Sequence, residues 1–327
     1  MVRFIVQIAG LVIICFLGVC CSPYQSIFIR ASDGVSGPLP HLDKCDDFTC
    51  QMLEFEAERE VVLLVHGCKA SSSRFGTLQQ VFASRQQQAL CFNYDYRDFL
   101  EHSAGTLVRA IQELVTVLKP TKLTIIGHSQ GGLVARRALI RERTGGPLPD
   151  VSCELQLVTI STPFNGISQS AHCGSKTLHI LSGGLTVLIC QGIAGAIWSE
   201  VHPRAVFINK PGTLLNSVSG HLKIVTDERN TCRHYGPAGN CVKSDYIFSL
   251  EEQYHPVIDR DARVTNVELQ IGHALVVGTT GNPPFTLLDI LEKKQILHPD
   301  TTTDETARHN LLASLYLTSA PDRIVGN

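Results

Sequence analysis

An α/β fold with a mostly parallel central sheet and helices on both faces is expected of this chain, and three observations carry the expectation. Short apolar runs recur along the sequence, at 61–65, 89–93, 123–126, 155–160, 222–226 and 264–270. Several are apolar throughout, as in Val61-Val-Leu-Leu-Val65, rather than alternating apolar and polar. Strands buried on both faces read that way, and such strands belong to parallel sheets. The stretches between the runs are long enough for crossover helices, which parallel neighbours require. A hydrophobic content of 44% over 327 residues is ample for the core of one large α/β domain.

Each element follows in order. Residues 25–60 show little periodicity. The run 61–65 ends at His66-Gly67, and a polar loop with Ser71, Ser72 and Ser73 leads to a helix around 76–88. The strand 89–93 gives way to a loop over 94–101. Apolar residues at Ala104, Leu107, Val108, Ile111, Leu114, Val115 and Leu118 then mark one face of a helix, which Pro120 ends. The strand 123–126 runs into Ser129, and a helix follows to about residue 143. A turn at 145–149 precedes the strand 155–160. From 167 to 219 the alternation stops. The stretch 178–198 is apolar, rich in glycine and holds the single tryptophan, Trp198. It reads as a lid or cap inserted over the site, with one more core helix as the plain alternative. The sheet resumes at 222–226 and closes at 264–270. A helix is expected over 285–297, and a tail over 298–327 carries a helical patch at 307–317.

The first 21 residues differ from the rest. Arg3 precedes an apolar run from Phe4 to Cys21 broken by Gln7, and Ser22-Pro23 follows. This is the pattern of a secretory signal, with an uncleaved anchor helix as the alternative. Leu17-Gly18-Val19-Cys20 faintly resembles a bacterial lipobox, although Val19 stands where a small residue is needed. Export is therefore expected, to a secreted, periplasmic or lumenal location, with a membrane-anchored protein or lipoprotein as the alternative. The cysteines agree: nine of the twelve lie beyond the leader, and an oxidising compartment permits disulfides. Short loops suggest Cys45–Cys50, Cys173–Cys190 and Cys232–Cys241. No Cys-x-x-Cys or His-x-x-x-His pair occurs, so zinc is not expected. The formal net charge of −2 gives no reason to expect nucleic acid.

The chemistry is concentrated at Gly127-His128-Ser129-Gln130-Gly131, set between a strand and a helix. A serine nucleophile on a sharp strand-to-helix turn needs residues without bulk two before and two after it, and glycine supplies both. A serine hydroxyl is a weak nucleophile, so a base must lie within hydrogen-bond reach, and an acid must fix the base's tautomer. With the chain order Ser, acid, His, the base falls just past the last strand, at His273. His298, His309 and His255 are its rivals. The acid follows the strand ending at Thr226. Asp245 is favoured because it sits beside apolar residues; Asp227 is the second choice, and Asp259 and Asp261 the third. Two backbone amides must hold the oxyanion, and those of Cys68 and Gln130 are in place to do so. The Cys68 thiol need not take part and is open to disulfide formation.

His66-Gly67 and Gly127-His-Ser-Gln-Gly-Gly-Leu-Val-Ala-Arg136 resemble the α/β-hydrolase fold, in its lipase and esterase branch. Ser161-Thr162-Pro163-Phe164-Asn165-Gly166 is similar to that branch's Ser/Thr-Pro-His-x-Gly segment, with Phe164 in place of the His. The resemblance covers about 61–277 and implies Ser129 as nucleophile, His273 as base and an acid matching Asp245. The expected organisation is a leader at 1–21, a hydrolase domain at 22–297 with a lid-like insertion at about 167–219, and a tail at 298–327. The expected function is hydrolysis of carboxylic esters, with lipid-like acyl esters favoured by the apolar 178–198 stretch. A thioesterase, amidase or acyltransferase on the same groups is the alternative, and a catalytically silent binding module stands behind it. No cofactor or metal is expected. The expected partners are a small-molecule or lipid ester and, through the lid or the N-terminal segment, a membrane surface.

Overall fold

The computed structural model describes residues 26–46, 52–168, 197, 199–300 and 304–318. The leader, Cys50, Cys173, Cys190 and all of the 178–198 stretch but Ile197 lie outside them. The strands are β1 (Ser26–Ala31), β2 (Ser36–Pro40), β3 (Leu42–Asp43), β4 (Met52–Phe55), β5 (Val61–Val65), β6 (Gln88–Phe92), β7 (Lys122–His128), β8 (Glu154–Ile160), β9 (Val218–Thr226), β10 (Cys232–Tyr235), β11 (Cys241–Ser244) and β12 (Val264–Leu269). The helices are α1 (Gly76–Ser84), α2 (Leu100–Leu118), α3 (Gln130–Ala138), α4 (Val206–Asn209), α5 (Leu250–Gln253), α6 (Phe285–Lys293) and α7 (Glu305–Thr318).

The central sheet has seven strands in the order β12-β9-β8-β7-β5-β6-β3. All its pairs are parallel except β3 on β6. In β5, successive side chains feed two separate cores. Val61, Leu63 and Val65 join one with Leu107, Ile111 and Leu114 of α2 and Val134 and Ala138 of α3. Val62 and Leu64 join the other with Leu78 and Phe82 of α1, Leu287 and Leu291 of α6, and Leu312 and Tyr316 of α7. Both faces are thus covered, which is why the strand is apolar at every position. Each such side chain, fully buried, contributes about 1.5–3 kcal/mol. The segment read as a tail therefore supplies Leu312 and Tyr316 to a core.

The stretch 25–60 is not irregular. β1 pairs antiparallel with β2 and parallel with β4, forming a small sheet whose Ile27, Ile29 and Leu39 join the α2 side core. Beyond the undescribed residues, 206–212 is tied to α3. Arg137 Nη2 donates to Phe207 O at 2.6 Å, Arg136 Nη2 donates to Gly212 O at 2.9 Å, and Arg136 Nη1 donates to Pro211 O.

Two disulfides are present among the described residues, Cys45–Cys91 and Cys232–Cys241. The second matches the short-loop expectation. The first replaces Cys45–Cys50: Asp43 of β3 pairs in register with Cys91 of β6, which brings the Cα atoms of Cys45 and Cys91 to 5.0 Å. Cys68 and Cys153 are free thiols.

Candidate active site

The carboxyl ends of β7, β8, β9 and β12 converge on one edge of the sheet, where open α/β sheets place their ligands. β7 delivers Ser129 and β8 delivers Ser161. Glu228 lies two residues past β9, and His273 lies four residues past β12.

Ser129 has φ 56° and ψ −126°, a left-handed conformation that costs a non-glycine residue about 1–2 kcal/mol. The turn holds because the backbone on both sides comes close. A Cβ on Gly127 would meet Gly131 O at 2.5 Å, and a Cβ on Gly131 would collide with the carbonyls of Val65 and His66. Ser129 N donates to Ile160 O at 2.9 Å. The His66-Gly67-Cys68 loop lies against this turn, since a Cβ on Gly67 would stand 3.0 Å from Ser129 Cβ. Gln130 opens α3, and its side chain donates from Nε2 to Tyr96 O at 2.9 Å.

His273 is held on every side. Its ring lies 4.8 Å, centroid to centroid, from His128, the residue before Ser129, and His128 Nε2–H donates to His273 O at 2.9 Å. The Phe248 ring meets it edge-on at 4.8 Å. His273 Nδ1 stands 2.8 Å from Glu228 Oε1 and 2.8 Å from Ser161 Oγ. Burial works to raise the Glu228 carboxyl. The hydrogen bond and charge of His273 and the amides of Phe248 and Ile247 outweigh it, leaving the pKa below the ordinary value. The result is a serine–histidine–carboxylate arrangement, with the carboxylate ionised against the ring.

The carboxylate on the imidazole is Glu228, which corrects the expectation of Asp245. Asp245 is buried, but its side chain is committed elsewhere. Arg233 donates to Oδ1 from Nε at 2.8 Å and from Nη2 at 2.5 Å. The amides of Ala274 and Leu275 donate to Oδ2 at 3.0 Å, and His273 N donates to Asp245 O at 3.0 Å. Asp245 thus grips the loop that carries the base, and Gly272 has no Cβ because one would collide with its carboxylate. Asp227 turns outward and pairs with Arg229. Asp259 pairs with Lys223, and Asp261 with Arg263. Thr226 ends β9 buried, Asp227 is partly exposed and Glu228 is buried again.

Ser161 is fully buried and reaches the same ring nitrogen as Glu228, so it lies on the far side of the imidazole's working edge. Ser129 stands on the strained turn directly after His128, whose ring faces that of His273. A parallel sheet, a serine on a left-handed strand-to-helix turn, and an acid–histidine pair from the next strand ends decide the fold family.

The chain has the α/β-hydrolase fold. Its likeness is to esterases and lipases. The family model described as "Putative serine esterase (DUF676)" matches residues 56–192. The propeptide form of a Bacillus licheniformis lipase is similar at 13% identity with a TM-score of 0.53, over 76% of this chain and 52% of that one. This chain therefore spans about half the length of that relative. The mature form of the same lipase gives 13% identity and a TM-score of 0.49, over 73% of this chain and 93% of that one. A Pyrococcus furiosus esterase gives 15% identity and a TM-score of 0.44, over 78% and 85%. No curated protein sequence matches the chain.

Proposed function

We propose that this α/β-hydrolase cleaves carboxylic esters with Ser129 as nucleophile, His273 as general base and acid, and Glu228 as the orienting carboxylate. The observation that carries the reading is Ser129 on its left-handed turn beside the ring pair His128–His273, with Glu228 on the far nitrogen. In the first half-reaction Ser129 Oγ attacks the carbonyl carbon while His273 Nε2 takes its proton. Glu228 stabilises the imidazolium, and the amides of Cys68 and Gln130 receive the oxyanion. Collapse expels the alcohol, which leaves with the proton held on Nε2. Water then attacks the acyl-enzyme, giving its proton to His273, and the acid leaves as Oγ is reprotonated. No step needs a metal or organic cofactor.

The substrate class proposed is an ester of a lipid-like acyl chain, on the ground that the sequence inserts an apolar stretch at 178–198 between two elements that flank the site. Contact with a membrane surface through that stretch or the N-terminal segment belongs to the same proposal. Export is proposed from the 1–21 pattern, and disulfides at Cys45–Cys91 and Cys232–Cys241 support an oxidising compartment. Among the described residues no helix is long and apolar enough to cross a membrane. The test is turnover of p-nitrophenyl esters from acetate to palmitate, alongside labelling by a fluorophosphonate. Turnover that rises with chain length, with labelling lost in Ser129→Ala, is expected. No turnover at any length and no labelling would sink the ester-hydrolase reading, and a flat or short-chain preference would sink the lipid part of it.

A further inference from the structure

Ser161 stands directly after β8, fully buried, with φ 45°. That left-handed conformation strains a residue with a Cβ, so glycine would suit the backbone better. What glycine lacks is the hydroxyl, and three polar groups converge on it: Thr226 Oγ1 at 2.7 Å, Glu228 Oε1 at 2.7 Å and His273 Nδ1 at 2.8 Å.

The protons on this cluster can be placed. An ionised carboxylate accepts only, so Ser161 gives its single proton to Glu228. Thr226 Oγ1 has three acceptors within reach, Ser161 Oγ at 2.7 Å, Glu228 Oε1 at 3.0 Å and Gln253 Oε1 at 3.2 Å, and it gives its proton to the nearest, Ser161. The lone pair left on Ser161 Oγ faces Nδ1. A bare Nδ1 would oppose that lone pair and a carboxylate oxygen, both at 2.8 Å, so the proton sits on Nδ1 and Nε2 is the free base.

We infer that Ser161, backed by Thr226, is a positioning residue for His273. Its hydroxyl holds Nδ1 in the protonated tautomer and gives the imidazolium a second acceptor beside Glu228. The inference rests on the triad proposed above. It adds that the charge formed on the ring is shared between a carboxylate and a neutral hydroxyl, and that a serine occupies a glycine-like backbone site for that reason.

The test compares Ser161→Gly and Ser161→Ala with wild type in kinetics, thermal melting and NMR titration of 15N-labelled imidazole. Both variants lose the hydroxyl, but only Gly relieves the backbone. Both are expected to lose about tenfold in kcat with KM changed less than about twofold, the scale of one hydrogen bond to a charged group. The acid limb of kcat/KM should move to lower pH by about half a unit, because the protonated ring has lost an acceptor. Ser161→Gly should melt at or above wild type, and Ser161→Ala at or below. Wild-type kcat and pH profile in Ser161→Gly would overturn the inference, as would activity losses that follow melting temperature. If wild type turns over no ester, the function fails by itself. The NMR arm still decides the positioning role: a His273 titration displaced to lower pH in Ser161→Gly supports it, and an unchanged titration and tautomer overturn it.

Discussion

Glu228 Oε1 lies 2.8 Å from His273 Nδ1, while its other oxygen accepts the amides of Ile247 at 2.5 Å and Phe248 at 2.8 Å. The carboxylate is locked from behind before it meets the ring. Glu228→Gln keeps the shape but puts an amide N–H donor within reach of Nδ1, favouring the wrong tautomer. A fall in kcat of about 10³–10⁴ is expected on that ground. Asp227→Asn, on the exposed Arg229 pair, should change kcat by less than about twofold. Steady-state kinetics of the two variants side by side check the assignment. Equal losses would return the acid to an open question.

The strain at Ser129 predicts opposite effects on activity and stability. Ser129→Ala should abolish fluorophosphonate labelling and lower ester turnover by about 10⁵ or more. Ser129→Gly should be equally inactive yet more stable by about 1 kcal/mol, because glycine adopts φ 56° without penalty. Urea denaturation of the three proteins measures the difference. Equal stability would mean the turn holds no strain.

Asp245 holds three consecutive amides at the base of the His273 loop and faces the Arg233 guanidinium. Asp245→Asn leaves that cation without its counter-charge and should cost about 2 kcal/mol or more of stability. Gly272→Ala drives a methyl into the same carboxylate. It should lower kcat by about tenfold or more through displacement of the ring. Melting temperature and kcat, measured together, separate these from Glu228→Gln, whose loss is mainly catalytic.

Burial, aided by the positive charges of His273 and Arg74, holds His128 well below the ordinary imidazole pKa. Burial also lowers His221, with Arg136 and Lys223 adding to the effect. Above about pH 6.5 both are neutral folded or unfolded, and neither affects stability. Below it the unfolded chain takes up protons that the folded one refuses. Stability should therefore fall as pH drops, by up to about 2.7 kcal/mol per pH unit for the two together, at about 1.36 each. Glu228 acts lower down: its depressed pKa adds stability above the unfolded carboxyl value of about 4.3, lost as pH falls through the folded value. Urea midpoints between pH 7.5 and 4 read both windows, and His221→Gln should reduce the slope in the first.

The two disulfides should separate on reduction. Cys232–Cys241 closes a 9-residue separation between Glu228 and Asp245, the residues that hold the ring and its loop. Replacing both cysteines by serine should lower kcat and cost about 2–3 kcal/mol. Cys45–Cys91 spans 46 residues and ties the chain after β3 to β6; its loss should cost about 4 kcal/mol and leave kcat within about twofold. Kinetics at a temperature where each variant is fully folded make the comparison.

The central sheet was legible because β5 is buried on both faces and apolar throughout, and because β7 and β8 carry dense apolar runs, Leu123 to Ile126 and Leu155 to Ile160, that feed the same two cores. β1, β2 and β4 were not. They are short, β2 carries Gly37, Pro38 and Pro40, and their packing depends on α2, which local sequence does not reveal. At the site, Ser129 was legible because the turn dictates its glycines, and the structure sets the His273 ring against His128, the residue before it. Glu228 was hidden by the excursion through β10 and β11, which returns the chain to the loop of His273 at Asp245 and makes the wrong carboxylate look adjacent. Ser161 carried no signal, because its role lies in hydrogen bonds to residues 65 and 112 positions away.

The short strand Leu42–Asp43 lies antiparallel along β6 at the outer margin of the seven-stranded sheet, with Cys45–Cys91 as its suture. An open margin is a template for pairing with another copy of the chain. Where the thiols stay reduced, as in a bacterial cytosol, that margin is free to unzip, and recombinant protein made there should precipitate. Production in the periplasm or another oxidising host is the route to soluble material.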